Sequence, residues 1–258
     1  MTEETRRELL PSATGFAARQ AIAVLRKRNV PATPLLMRAG ISEGDIDNGQ
    51  GRISALAQGK LLEYAAEALG DSEFGLHLAE QANPREAGLL FYVASAAEHV
   101  GDALALTARY CRIGNEAERL VVNRSSENMI VETKFVGLPR QFAWQNTEFV
   151  IAATIRALRE MAGRDFQPVQ VGFTLARYSE LSEFERLFGC PVEFSAQLLC
   201  FQRRLLLGRA HLADLSVQHF DLFLKLLHCR RQQTDIRGKF RCMRSRHRLA
   251  SSYQGRTK

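Results

Sequence analysis

Several groups of residues in the 258-residue sequence have types that could do chemistry. Glu43, Asp45 and Asp47 alternate along a polar stretch, as the first ligands of a calcium loop would. Such a loop needs a glycine at its sharp turn and a bidentate glutamate at its last position. Asn48 and Ser54 stand at those places, so a solvated acidic loop is the better reading. Cys229, Cys242 and His247, with His228 beside Cys229, supply the donor types of a zinc site. Adjacent residues are poorly placed to share one tetrahedral ion, and no closely spaced cysteine pair is present, so these read as unrelated residues of a tail. Glu180, Glu183 and Glu185 flank an amphipathic helix, where a solvated face is the simpler account. His77 and His99 fall on helix surfaces or ends, with no nucleophile or carboxylate at a catalytic spacing. The sequence has no nucleophile elbow, zincin helix, C-x-x-C pair or Walker A loop. It therefore predicts neither an enzyme nor a cofactor nor a metal site.

The charge is uneven. The formal net charge is +7. Residues 229–258 hold ten basic residues against one acidic residue, Asp235, a local charge of +9. The rest of the chain holds 25 bases and 27 acids, a charge of −2. The basic character thus belongs to the tail, and its position decides its meaning. Arg237, Lys239, Arg241, Arg244, Arg246 and Arg248 could neutralise phosphates without reading sequence, and Phe240 and Tyr253 could stack on bases. A charged extension with no selected partner is the competing reading.

Hydrophobic residues at 46% and charged residues at 24% are ordinary for a globular chain. The stretch Leu89–Ala94 is far shorter than the ~20 apolar residues of a membrane helix. The acidic and basic start, Met1 to Arg7, has no apolar core behind it and does not read as a secretory signal. Five scattered cysteines, an odd number, fit reduced thiols in a cytoplasm.

The elements that must position these residues follow from periodicity. Ala17, Ala18, Ala21, Ile22 and Leu25 form one stripe of a helix over 14–29, with Arg26, Lys27 and Arg28 at its C-terminal end. Pro31 and Pro34 break it, and a short helix from Leu35 to Ala39 stops at Gly40. Ser42 can cap a short turn, and Asp45–Arg52 reads as a polar loop. Ser54 caps a longer helix that stops at Gly70, and Asp71 or Ser72 caps the next, with Phe74 and Leu78 inward. Helices follow over Gly88–Ala97 and from Gly101 through Cys111. Leu120–Asn123 and the alternating Met129–Phe135 form a hairpin around 125–128. A helix spans Phe142–Ala162; a strand follows Pro168, alternating Val169, Val171, Phe173 and Leu175. A short helix over Leu181–Phe188, strands at Val192–Phe194 and Leu198–Phe201, and a last helix over Leu212–Leu227 complete the reading. The fold class is α+β: a helical N-terminal half, then a small mixed sheet in the order β-β-α-β-α-β-β, then a C-terminal helix.

Several strings carry a resemblance. They are Arg52-Ile53-Ser54 leading to Gly70, Asp71 to Ala79, Gly88 to Ala97 followed by Gly101 to Leu104, and Phe184 to Phe194 followed by Leu198 to Phe201. Together they resemble the N-terminal sensor domain of AraC-type transcription regulators, the arabinose-binding-like variant of ornithine-utilisation and virulence regulators. The likeness runs over about residues 15–225, and its most specific block is Phe188-Gly189-Cys190-Pro191-Val192-Glu193-Phe194.

The resemblance implies a cytoplasmic regulator whose sensor domain, placed at residues 15–227, binds a small effector and dimerises, with itself or with an intact relative. It also implies a C-terminal reader of ~100 residues with two helix-turn-helix units. Only 57 residues follow Phe201, and residues 228–258 lack the apolar periodicity of such a reader. The expectation is a basic, disordered tail in its place, through truncation or a frameshift after about residue 208, so specific DNA binding by this chain is in doubt. Non-specific nucleic-acid binding through that tail is the alternative function. The resemblance also implies a ligand pocket, for which Tyr92, Tyr110, Trp144 and Glu148 are the candidates. Trp144 and Glu148 lie one helical turn apart, so a buried acid beside an aromatic could read a cationic or hydroxylated ligand. The competing reading is core packing for Trp144 and an ion pair of Glu148 with Arg109 or Arg112.

Overall fold

A small N-terminal ladder and a run of helices lead into one mixed sheet. The computed structural model describes residues 11–47, 51–124, 128–162, 166–173, 181–194 and 200–204. All belong to the first of two units, Met1–Ala213; the second is Asp214–Lys258. The helix expected over Leu212–Leu227 and the tail residues Arg237, Lys239, Arg241, Arg244, Arg246 and Arg248 lie outside the described residues.

Strand β1 (Ser12–Ala13) pairs antiparallel with β2 (Ile53–Ser54), Ala13 facing Ile53. Between them lie α1 (Phe16–Lys27), α2 (Thr33–Ala39) and α3 (Glu43–Asp47). The expected stripe of α1, Ala17, Ala18, Ala21, Ile22 and Leu25, is buried. Helix α3 corrects the polar loop expected from Asp45 onward. Ile46 is buried in a cluster with Ile41 and Ile53, and Ser42 Oγ accepts from Asp45 N at 3.3 Å. One buried apolar anchor and one cap are enough to wind a turn from a polar string.

Helix α4 (Ala55–Leu69) begins as expected, with Ser54 Oγ accepting from Ala57 N at 3.4 Å. Gly70 ends it at φ 62°, where a side chain would be strained. Helix α5 (Phe74–Gln81) starts later than either expected cap. Asp71 Oδ1 accepts from Glu73 N at 3.1 Å and so closes the turn before the helix. A 3-10 turn over Pro84–Ala87, α6 (Leu89–Ser95) and α7 (Val100–Gly114) follow.

Strands β3 (Glu118–Arg124) and β4 (Asn128–Phe135) form the expected hairpin. The long helix α8 (Trp144–Ala162) starts two residues after the expected Phe142, because Arg140–Phe142 winds as a 3-10 turn behind Pro139. Then come β5 (Gln170–Phe173), α9 (Ser182–Phe188), β6 (Val192–Phe194) and β7 (Cys200–Arg204). The sheet order is β3-β4-β7-β5-β6, with β5 and β6 parallel and the other pairs antiparallel. This is the small mixed sheet of the α+β reading.

Helix α8 is the spine of the core. Ile151, Ala152, Ile155 and Leu158 are buried along its inner face. Its start is clasped by α4 and α5 at two glycines. A Cβ on Gly59 would lie against the carbonyl of Phe142, and one on Gly75 against that of Gln145, both far inside contact distance. Gln145 fixes the crossing: its Oε1 accepts from Gly75 N at 2.6 Å and its Nε2 donates to Ser72 O at 3.0 Å. At the other end, Arg159 donates to the carbonyls of Leu187 at 2.6 Å and Phe188 at 2.5 Å. It thus satisfies open C-terminal groups of α9. Phe173 packs on Phe184 and Phe194 at 5.8 and 5.1 Å between centroids, so the aromatics of the expected closing block seat α9 on the sheet.

Candidate functional site

Helices α1, α6, α7 and α8 do not close completely on one another. Between them lies a cavity of about 130 Å³. Phe149, Val150 and Ala153 of α8 form one wall, and Leu90, Phe91 and Ala94 of α6 face them. Phe16 and Ala17 of α1 close a third side. An engineered cavity of about 150 Å³ with such an apolar lining stays dry and admits benzene, so this space suits a molecule of roughly six non-hydrogen atoms.

Polar groups interrupt this lining. Gln58 of α4 and Asn146 of α8 are both buried, and Gln58 Nε2 donates to Asn146 Oδ1 at 3.4 Å. Gln58 Oε1 and Asn146 Nδ2 are left with no hydrogen-bond partner. Turning both amides over would exchange the atoms and again leave one acceptor and one donor open. A buried polar atom without a partner costs about 1–3 kcal/mol, which a suitable ligand would recover.

The third polar group is Glu118, 8% exposed. It opens β3 just after the turn in which Asn115 Oδ1 accepts from Ala117 N at 3.0 Å. Successive residues of a strand face opposite ways, so Glu118 shares the inward face with buried Leu120. Among the residues lining the cavity it is the one that can ionise. No hydrogen bond or counter-ion among the described residues reaches its carboxylate, and burial alone pushes its pKa up to about 8. The adjacent cation is committed elsewhere: Arg119 Nη1 donates to the carbonyls of Glu116 at 2.6 Å and Glu118 at 2.8 Å. A carboxyl group thus faces a cavity with no other ionisable side chain, and burial keeps it largely protonated at neutral pH.

The four pocket candidates named from the sequence stand elsewhere. Trp144 and Glu148 do come together, Trp144 Nε1 donating to Glu148 Oε1 at 2.8 Å, and Glu148 is only 1% exposed. The partner found is the indole rather than Arg109 or Arg112. Tyr92 packs edge-on against Phe91 at 5.7 Å between centroids, and Tyr110 lies beneath the Arg109 guanidinium at 5.3 Å. None of the four lines the cavity.

His77, expected on a helix surface or end with no carboxylate at a catalytic spacing, is held between two carboxylates. Its Nδ1 lies 2.8 Å from Asp71 and its Nε2 2.9 Å from Glu183. The hydrogen bond with Asp71, then that with Glu183, raises its pKa to about 9 against the opposing effect of burial. The pair ties α5 to α9. Glu183 also meets Arg186 at 3.5 Å, so this one of the three glutamates is engaged, while Glu185 is exposed and Glu180 lies outside the described residues. Burial pushes the Cys190 thiol up to about 11, as befits a buried apolar cysteine. Among the described residues no group of three or more His, Cys, Asp or Glu is placed to hold a metal ion. No described helix is long and apolar enough to cross a membrane. The cysteine and histidine residues at 228–247 lie outside the described residues.

A helical half, a five-stranded mixed sheet and a cavity lined along α8 make up the described fold. Residues 30–210 match the model of the arabinose-binding domain of AraC transcription regulators, N-terminal. The chain belongs to that family. Over 191 residues it is 27% identical to the ornithine utilization regulator of Pseudomonas aeruginosa, covering 72% of this chain and 54% of that protein. The crystal structure of the transcriptional regulator CdpR from Pseudomonas aeruginosa superposes with a TM-score of 0.55 at 19% identity. The match covers 77% of this chain and 57% of that one, a likeness of fold. The chain therefore spans about half the length of the relatives it matches.

Proposed function

We propose that this chain is the effector-sensing part of an AraC-type transcription regulator, with the cavity against α8 as its effector pocket. The observation that carries the reading is the cavity itself. It is mostly apolar, about 130 Å³, and carries three buried polar groups with open valences. Small-molecule sites combine an apolar lining with a few convergent polar groups in this way. Its walls come from α1, α6, α7 and α8, so an occupant would brace elements far apart in sequence. Family membership supports the regulatory role, and dimerisation, with itself or with an intact relative, is part of the same proposal.

Thermal unfolding in the presence of a library of small metabolites tests this. A ligand of the folded state raises Tm by mass action, by about 2.7 kcal/mol of stability at a hundredfold excess over Kd. The shift should disappear in Ala153→Leu, which fills the cavity from α8. Ala157→Leu provides a second filling one turn on. A shift that survives both variants places the ligand elsewhere and refutes the pocket.

The sequence of residues 229–258, at +9, supports the alternative reading, nucleic-acid binding without sequence preference.

A further inference from the structure

We infer that the effector is a short aliphatic primary amine, bound as its ammonium ion by Glu118 with a second polar group held between Gln58 and Asn146. The inference rests on the pocket reading above and adds the chemistry of the ligand. Three observations carry it.

The first is charge. Glu118 is the one ionisable residue of the lining, and the walls contributed by α1, α4, α6, α7 and α8 present no cation to it. Arg119, next in the strand, spends its guanidinium on two backbone carbonyls. Cys111 of α7 is the titratable neighbour, its Sγ donating to the Glu118 backbone carbonyl at 3.8 Å, and burial raises its pKa and favours the neutral thiol. An anionic ligand would meet an acid and no base. A cationic ligand would supply the charge that the carboxylate lacks, in a setting where an ion pair is weakly screened.

The second is the remaining surface. Phe91 and Phe149 line the same space, and an ammonium ion beside aromatic faces gains further attraction. Leu90, Val150 and Met161 match a methylene body. The third is the pair of open amide atoms. One acceptor and one donor await a group that does both, such as a hydroxyl. The volume limits the whole to roughly six non-hydrogen atoms.

Binding then has a proton balance. In the empty cavity at neutral pH Glu118 holds its proton. The ligand enters as R-NH3+, the carboxyl proton leaves to solvent, and the product is R-NH3+ paired with the carboxylate. The ligand keeps its own charge throughout, because a simple alkyl amine titrates well above this range. Affinity must therefore strengthen as pH rises toward the point where the carboxylate exists unaided, and level off beyond it.

The test uses the whole chain and two probes of equal size, 4-amino-1-butanol and 1,4-butanediol, with 4-hydroxybutyrate as the anionic control. Binding is read by calorimetry and by Tm at millimolar concentrations. The aminoalcohol should bind at least about tenfold tighter than the diol at pH 8.5. Its affinity should rise roughly twentyfold between pH 6.5 and 8.5, while that of the diol stays flat. Glu118→Gln should remove both the preference and the pH dependence. The wild-type pH profile stands by itself if that variant does not fold. Equal binding of the aminoalcohol and the diol, or tighter binding of 4-hydroxybutyrate, overturns the amine inference. If neutral compounds still bind in a manner sensitive to Ala153→Leu, the pocket reading survives that result. If nothing binds in the cavity, both fall.

Discussion

Replacing Glu118 by glutamine should stabilise the empty protein at alkaline pH and change it by less than about 1 kcal/mol near pH 5. The carboxyl stands at about 8 in the folded chain and at its ordinary 4.5 when unfolded, and burial is the cause. Between those values the folded protein holds a proton that the unfolded chain has released. Stability therefore falls as pH rises through this window, and the full penalty is present above about pH 8. At about 1.4 kcal/mol per pH unit, the displacement corresponds to roughly 5 kcal/mol. Water drawn into the cavity would solvate part of the charge, so the expected gain for Glu118→Gln at pH 9 is roughly 2–5 kcal/mol. Urea unfolding of both proteins at pH 5, 7 and 9, followed by circular dichroism, gives the difference directly. Groups that titrate equally in both, His77 among them, cancel in that difference. A variant that is less stable than wild type at pH 9, or a difference that does not vary with pH, would refute the idea that Glu118 is buried without a partner.

Three further outcomes follow from other parts of the fold. His77→Gln should lower stability by roughly 1–3 kcal/mol at pH 6, because the charged imidazole is held by Asp71 and Glu183. A raised histidine pKa helps fully below the unfolded value of 6.5 and is lost through about 9, so the two Tm curves should converge above pH 9. Gly75→Ala should cost about 2 kcal/mol or more, since the new methyl meets the Gln145 carbonyl at the start of α8; an unchanged urea midpoint would show that the helices can part freely. Deleting residues 229–258 should abolish salt-sensitive DNA binding measured by fluorescence anisotropy, and undiminished binding by the shortened chain would dismiss the tail as its source.

Much of the fold was legible because periodicity and caps agreed. The stripe Ala17–Leu25, the Ser54 cap, Gly70 and the alternation of Met129–Phe135 each point to one structure. The β1–β2 ladder was not legible, since two-residue strands carry no period. Helix α3 was hidden because one isoleucine, Ile46, decides it. The site was harder. Helical spacing makes Trp144 and Glu148 neighbours, and they do meet, but spacing within one helix says nothing about which cavity it borders. The apolar run that marks β3 in the sequence begins only at Leu120, two residues after Glu118. Extending the alternation back by two residues puts an acid on the inward face of a strand, and that is the signal that would have found it. Gln58 and Asn146 meet across 88 positions of sequence, a contact only the tertiary structure makes. His77 likewise gains Glu183 from a distant helix.

The most direct test is a crystal structure of the whole chain grown with 4-amino-1-butanol at pH 8.5. The expected result is density for the ligand between α6 and α8. Its nitrogen should lie about 2.7–2.9 Å from a Glu118 carboxylate oxygen, and its hydroxyl should reach the open amide atoms of Gln58 and Asn146. A cavity filled only by water, or a ligand seated elsewhere with Glu118 still unpartnered, would contradict it.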